Sequence, residues 1–168
     1  VSVPSWMTVA TFNEETNKGE FSGTPVNADA SKNYELRYRV LDSQDKMAER
    51  RYEILVQNKN DAPVIVGEAG EEATEDVVYE YKFSVSDLDT EVENSTERLT
   101  MSVIEQPSWM TEVSFNEESK EGRFSGVPQN EDVSEVGYEL RYEIEDEAGV
   151  TVGYRVEIEV VNVNDEPE

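Results

Sequence analysis

Cysteine and histidine are both missing from these 168 residues. That excludes thiolate zinc sites, a cysteine nucleophile, and any serine or cysteine mechanism relying on an imidazole base. With no disulfide, stability has to come from the core, from bound metal, or from both, and the lack of cysteine leaves the redox compartment open. Positive charge is scarce: 14 Lys and Arg stand against 39 Asp and Glu, a formal net charge of -25. Such a chain repels a phosphate backbone and an anionic membrane surface alike, so nucleic acid is a poor partner. No apolar run approaches the roughly 20 residues that cross a bilayer, and no signal peptide opens the sequence. The expectation is a soluble interior piece of something larger, with no direct membrane insertion. No segment carries helical periodicity over a long window.

What the chain has in excess is acid. A compact state with this much unbalanced charge repels itself unless cations sit among the carboxylates, which makes divalent metal the first partner to consider. The plainer reading is a solvated acidic surface that keeps the protein soluble. Position has to decide between them.

The sequence is also repetitive. The segment Pro4–Thr8 (PSWMT) returns at Pro107–Thr111, an offset of 103. The same offset aligns Phe12 to Glu15 with Phe115 to Glu118, and Phe21, Ser22, Gly23 and Pro25 with Phe124, Ser125, Gly126 and Pro128. After a one-residue insertion, Tyr34 to Tyr38 match Tyr138 to Tyr142, and Asn58, Asn60 and Asp61 match Asn162, Asn164 and Asp165. A period of this length is too long for a solenoid and is the size of one small sandwich domain. Val1 aligns with Ile104, so nothing at the start corresponds to Val64 through Val103. The reading is a truncated unit over residues 1–62, lacking its first strands, and a complete one over 63–168.

Period-two alternation marks the strands. Val77, Tyr79, Tyr81, Phe83 and Val85 share one face, with Val78, Glu80, Lys82 and Ser84 on the other. Tyr138, Leu140, Tyr142 and Ile144 alternate with acids and Arg141, as do Val156, Ile158 and Val160 with Glu157 and Glu159. These patterns predict half-buried antiparallel strands. Turn signals fall at Asn116 to Gly122, Pro128 to Gly137 and Asp146 to Gly149. Trp6 and Trp109 occupy the same repeat position; they read as core aromatics in preference to carbohydrate-stacking platforms. Asn94, Ser95 and Thr96 form a glycosylation sequon, a triplet common by chance.

The succession of PSWM, FNEE, FSG before Pro128, YELRYEIEDEAG and VNVNDEP resembles the dystroglycan-type cadherin-like domain, related to the putative-Ig repeats of large bacterial surface proteins. The resemblance covers nearly all of both units. It implies an all-β fold of tandem Greek-key, immunoglobulin-like sandwiches, chained through short linkers that bind calcium (Ca2+), in an extracellular or cell-surface setting. Calcium takes six to eight oxygen ligands, so Asp, Asn and Glu gathered from separate loops are the useful sign. The resemblance places one junction site at Asp29, Asn60, Asp61, Asp87, Asp89 and Asp146, with Asp42 as the first unit's counterpart of Asp146. By translation, a second set is Glu75, Asp132, Asn164 and Asp165. Where typical cadherins carry Asp-x-Glu before the sixth strand, this chain has only Asn27 to Asp29 and Asn130 to Asp132, which points to one or two ions per junction. Against both sets stands the tendency of Asp and Asn to occupy turns for local reasons.

The implied function is that of a calcium-stiffened spacer or adhesion segment, partnered by calcium and by neighbouring repeats. The alternative is a calcium-dependent carbohydrate-binding or homophilic module. An enzyme is not expected: any two of 39 acids could mimic a glycosidase pair, but no cleft-forming architecture holds them. The missing strands of the first unit would expose an edge, inviting pairing with another chain and a strand-exchanged homodimer.

Overall fold

The computed structural model describes residues 1–92 and 95–164, with Glu135 described by its backbone alone. Asn94 of the sequon and Asp165 of the second predicted set lie outside these residues. The chain divides into two compact units, Val1–Asn60 with Glu91–Ser95, and Asp61–Thr90 with Thr96–Glu168. Among the described residues all regular structure is strand, apart from short 3-10 turns.

The second unit is a two-sheet sandwich. Its strands are β5 (Val64–Val66), β6 (Glu72–Thr74), β7 (Tyr79–Ser86), β8 (Thr100–Glu105), β9 (Glu112–Asn116), β10 (Glu121–Gly126), β11 (Ser134–Glu145) and β12 (Thr151–Val161). One sheet runs β5-β7-β10-β9 and the other β6-β12-β11-β8. Every pairing is antiparallel except β6 with β12. The chain passes from sheet to sheet at every connection except the β9-β10 and β11-β12 hairpins, which is the Greek-key path.

Alternation produces the core. Tyr79, Tyr81, Phe83 and Val85 of β7 are buried and the residues between them exposed, because successive side chains point to opposite faces of a sheet. They meet Phe124, Leu140, Tyr142, Ile144, Ile158 and Trp109. Trp109 stands edge-on to Tyr79 and Tyr138, with ring centroids 5.6 and 6.2 Å away, a core position and not a surface platform. The alternation read from Val77 begins at Tyr79 instead. Asp76 has a φ of 58°, and the left-handed turn there leaves Val77 and Val78 exposed before the strand starts. The turn read as Pro128 to Gly137 is also shorter: a 3-10 turn at Asn130–Asp132 gives way to β11, which absorbs Gly137 in an irregularity between Ser134 and Tyr138.

The Tyr81 and Tyr142 hydroxyls are 2.9 Å apart in the core and tie one sheet to the other. Burial pushes Tyr79 up to about 12, and burial likewise raises Tyr81 and Tyr142. The fold favours the neutral phenols, so their contribution is intact below the ordinary value near 10 and is lost as pH rises through the folded value. For Tyr79 that window is about pH 10 to 12. Alkaline titration followed by tyrosinate absorbance should find a late-ionising group in this window. Loss of near-ultraviolet circular dichroism should accompany it.

The first unit has four strands in two ribbons: β1 (Met7–Asn13) with β2 (Lys18–Gly23), and β3 (Asn33–Leu41) with β4 (Met47–Leu55). An isolated bridge joins Ser2 to Arg37, the repeat positions of Glu105 and Arg141, which pair in the second unit. The repeated motifs are explained by local chemistry. In FNEE, the Asn13 side chain accepts the Thr16 N–H, and that of Asn116 accepts those of Glu118 and Ser119. These bonds shape hairpins that close through left-handed Asn17 and Lys120. In FSG the glycine leaves room for neighbouring backbone: a Cβ on Gly126 would lie 2.1 Å from the Trp109 carbonyl oxygen, and one on Gly23 would lie 2.2 Å from that of Trp6.

Candidate metal site

Four predicted aspartates gather at one pole of the second unit. Asp87 ends the run after β7, Asp89 lies in the 3-10 turn Leu88–Glu91, Asp146 follows β11, and Asp61 is in the coil ahead of β5. Asp87, Asp89 and Asp146 are only 3, 2 and 5% exposed. Backbone donors link them. The Asp61 N–H donates to Asp89 Oδ2 at 2.6 Å, and the Asp89 N–H donates to Asp87 Oδ1 at 2.8 Å. Asp146 Oδ1 accepts the Val150 N–H at 2.7 Å, within its own turn.

The second oxygen of Asp87 is different: Oδ2 is buried with no hydrogen-bond partner. Burial raises the pKa of this carboxyl; the Asp89 N–H opposes that, and the negative charges of Asp89, Asp146 and Asp61 add to it. An unsatisfied buried acceptor among like charges is costly unless a cation reaches it. Among the described residues no three Asp or Glu side chains form a ready-made metal group. The pole is therefore an acidic cluster laced by N–H donors, not a closed coordination shell. Its donor set is all oxygen, which suits a hard divalent cation.

Glu75 directly follows β6 and is 1% exposed. Its Oε1 accepts the Val163 N–H at 2.7 Å, while Oε2 is buried without a partner. Asn164 is the next residue along from Val163. Asp132 is half-buried and its Oδ2 accepts the Gln129 N–H at 2.8 Å, capping its own 3-10 turn. Asp29 of the first unit does the same for Val26 at 2.9 Å, and its other oxygen accepts the Tyr34 hydroxyl at 2.5 Å. The Tyr34 hydrogen bond, followed by the Val26 N–H, holds the Asp29 carboxyl below the usual range. Both oxygens of Asp29 thus serve local structure. Asn60 closes the main segment of the first unit. Asp42 is exposed, its Oδ1 accepting the Gln44 and Lys46 N–H groups. Nothing in the sequence pattern signalled the Tyr34 bond, because a phenol five residues away from an acid has no periodic signature.

Solved structures share this architecture. One comprising extracellular cadherin domains 1–5 of protocadherin gamma B2 has a TM-score of 0.64 at 14% identity, over 94% of this chain and 30% of that one. The extracellular domain of protocadherin gamma B4 gives 0.63 at 17% identity, over 98% and 26%. The fold is cadherin-like. This cadherin-like chain spans between a quarter and a third of the length of those two structures. No protein-family model and no curated protein matches its sequence. Among the described residues there is no helix long and apolar enough to cross a membrane.

Proposed function

We propose that the chain is a calcium-binding segment of an extracellular tandem array, a rigid spacer or adhesion segment of a large cell-surface protein. The observation that carries this is the unpartnered Asp87 Oδ2, buried beside Asp61, Asp89 and Asp146. Calcium would neutralise the clustered charge and draw on oxygen ligands supplied by several loops at once. Asp61 is the part of the cluster that lies on the linker, and its N–H already donates to Asp89. Holding Asp61 against Asp87 and Asp89 fixes the linker where it enters the sandwich, and a fixed linker stiffens an array. Asp29 and Asn60 belong to this proposal on the sequence pattern, as do Asp132, Asn164 and Asp165. Glu75, with its own buried unpartnered oxygen, supports a second site at the end of the unit.

The dystroglycan-type character of the repeat, its place in a bacterial-type surface protein and its homophilic contacts are parts of the same reading, and rest on the repeated motifs. Small-angle scattering in millimolar calcium and in chelator tests the spacer role. The expected result is a narrower distribution of maximum dimensions with calcium; identical profiles in the two buffers would sink the idea.

A further inference from the structure

Among the described residues, the non-glycine positions with left-handed backbone are Asn17, Ser31, Asp45, Asp76 and Lys120. Short polar side chains tolerate that conformation by bonding locally to the backbone, which accounts for all of them except Lys120. Its repeat counterpart at an offset of 103 is Asn17, at the same φ of 55° and in the equivalent hairpin. Asparagine adopts this backbone more readily than lysine, so the turn itself gives no reason for a lysine in the second unit. The side chain supplies one. Residues 116–119 of the hairpin are exposed, whereas Lys120 is half-buried and its ammonium donates to the Thr90 hydroxyl oxygen.

That contact reaches the loop carrying Asp87 and Asp89. The Thr90 hydroxyl passes its own proton to the Asp87 carbonyl oxygen at 2.6 Å, and the Thr90 N–H donates to the same oxygen at 3.2 Å. On the other side of the aspartates, the Val85 N–H donates to the Lys120 carbonyl oxygen at 2.8 Å. Lys120 thus grips the chain just before Asp87 with its backbone and just after Asp89 with its side chain. Between the two grips, the Asp89 N–H meets Asp87 Oδ1, and Asp89 Oδ2 accepts the Asp61 N–H. The charges that bear on the Asp87 carboxyl are those of Asp89, Asp146 and Asp61, all negative. What Lys120 gives the loop is a tether and not a neutralising charge.

We propose that Lys120 is a positioning residue for the metal site, holding Asp87 and Asp89 in place through Val85 and Thr90 before a cation arrives. This rests on the calcium reading above. A loop already fixed loses less freedom on binding, so the tether strengthens calcium without touching it.

Calcium titration of the full chain by calorimetry tests the proposal. Lys120→Met keeps the stem and removes the donor; it should weaken calcium about three- to tenfold, the worth of one hydrogen bond. Lys120→Arg, which can still donate to Thr90, should restore most of the affinity. Thr90→Val should weaken calcium as well, and adding Lys120→Met to it should cost nothing further, because the partner is already gone. Unchanged affinity in Lys120→Met would overturn the proposal. So would tighter binding, which would mean that the lysine acts by charge, or full additivity of the two substitutions. Hydrogen exchange in chelator reads the tether without metal: the Asp61 and Asp89 amides should exchange faster in Lys120→Met and not in Lys120→Arg. Faster exchange in a chain that takes up no calcium would sink the calcium reading and leave the tether as loop architecture alone. Unchanged exchange would show that there is no tether.

Discussion

Calcium at about 10 mM should stabilise the second unit by about 1.4 to 2.7 kcal/mol over the chelated protein. That range follows from linkage with extracellular-type affinities of about 10⁻⁴ to 10⁻³ M. For a domain near 100 residues it corresponds to a rise of roughly 5 to 20 °C in Tm, measurable by differential scanning calorimetry. The Asp87→Asn variant makes the prediction sharper, because its two effects have opposite sign. Asp87 is buried among three other carboxylates, and both burial and those charges disfavour its ionised form. Replacing it with a neutral isostere removes that repulsion, so in chelator the variant should melt above the parent. In calcium it should melt below it, having lost an anionic ligand. If Asp87→Asn destabilises equally in both buffers, the carboxylate has a purely structural role and the metal reading fails.

Much of the cluster was legible because sandwich topology sends alternate connections to the same end. Once Tyr79 to Val85 is read as a strand from its alternation, Asp87 and Asp89 must emerge at one pole, and Asp146 returns to it after the strand through Ile144. Asp87 does feel the charges of Asp61, Asp89 and Asp146 there. What the pattern could not convey is how each oxygen is used. Asp29 and Asp132 sit at matching repeat positions, and each also accepts the N–H three residues back and so shapes a 3-10 turn. Acidic residues favour turns for that reason, and spacing in the sequence carries no record of which oxygen a turn already uses. Strand ends are hard to read for a related cause. Val77 continues the hydrophobic alternation, but the left-handed backbone at Asp76 interrupts the pleat before it, and alternation carries no information about φ.

Truncating equivalent phenylalanines should cost very different amounts in the two units. Phe124 is completely buried, with ring centroids 5.1 Å from Tyr142, 6.0 Å from Phe83 and 6.2 Å from Tyr81. Phe124→Ala would leave a cavity between two sheets that cannot collapse around it, a loss of about 3 to 5 kcal/mol. For a small domain that is much of the total stability. Phe21, its counterpart at an offset of 103, is half-buried and packs at a tilt against Tyr38, with ring centroids 5.3 Å apart, in an open groove. Phe21→Ala removes contacts on one side only and creates no closed void, so about 1 kcal/mol or less is expected. The chain supplies its own probes, since its two tryptophans fall one in each unit. In a Trp6→Phe background, Trp109 fluorescence reports urea unfolding of the second unit; Trp109→Phe leaves Trp6 to report the first. Equal shifts of the two midpoints would mean that the first unit closes its core in solution. A large shift for Phe124→Ala beside a small one for Phe21→Ala would instead mark the first unit's core as open on the side that β7 covers in the second.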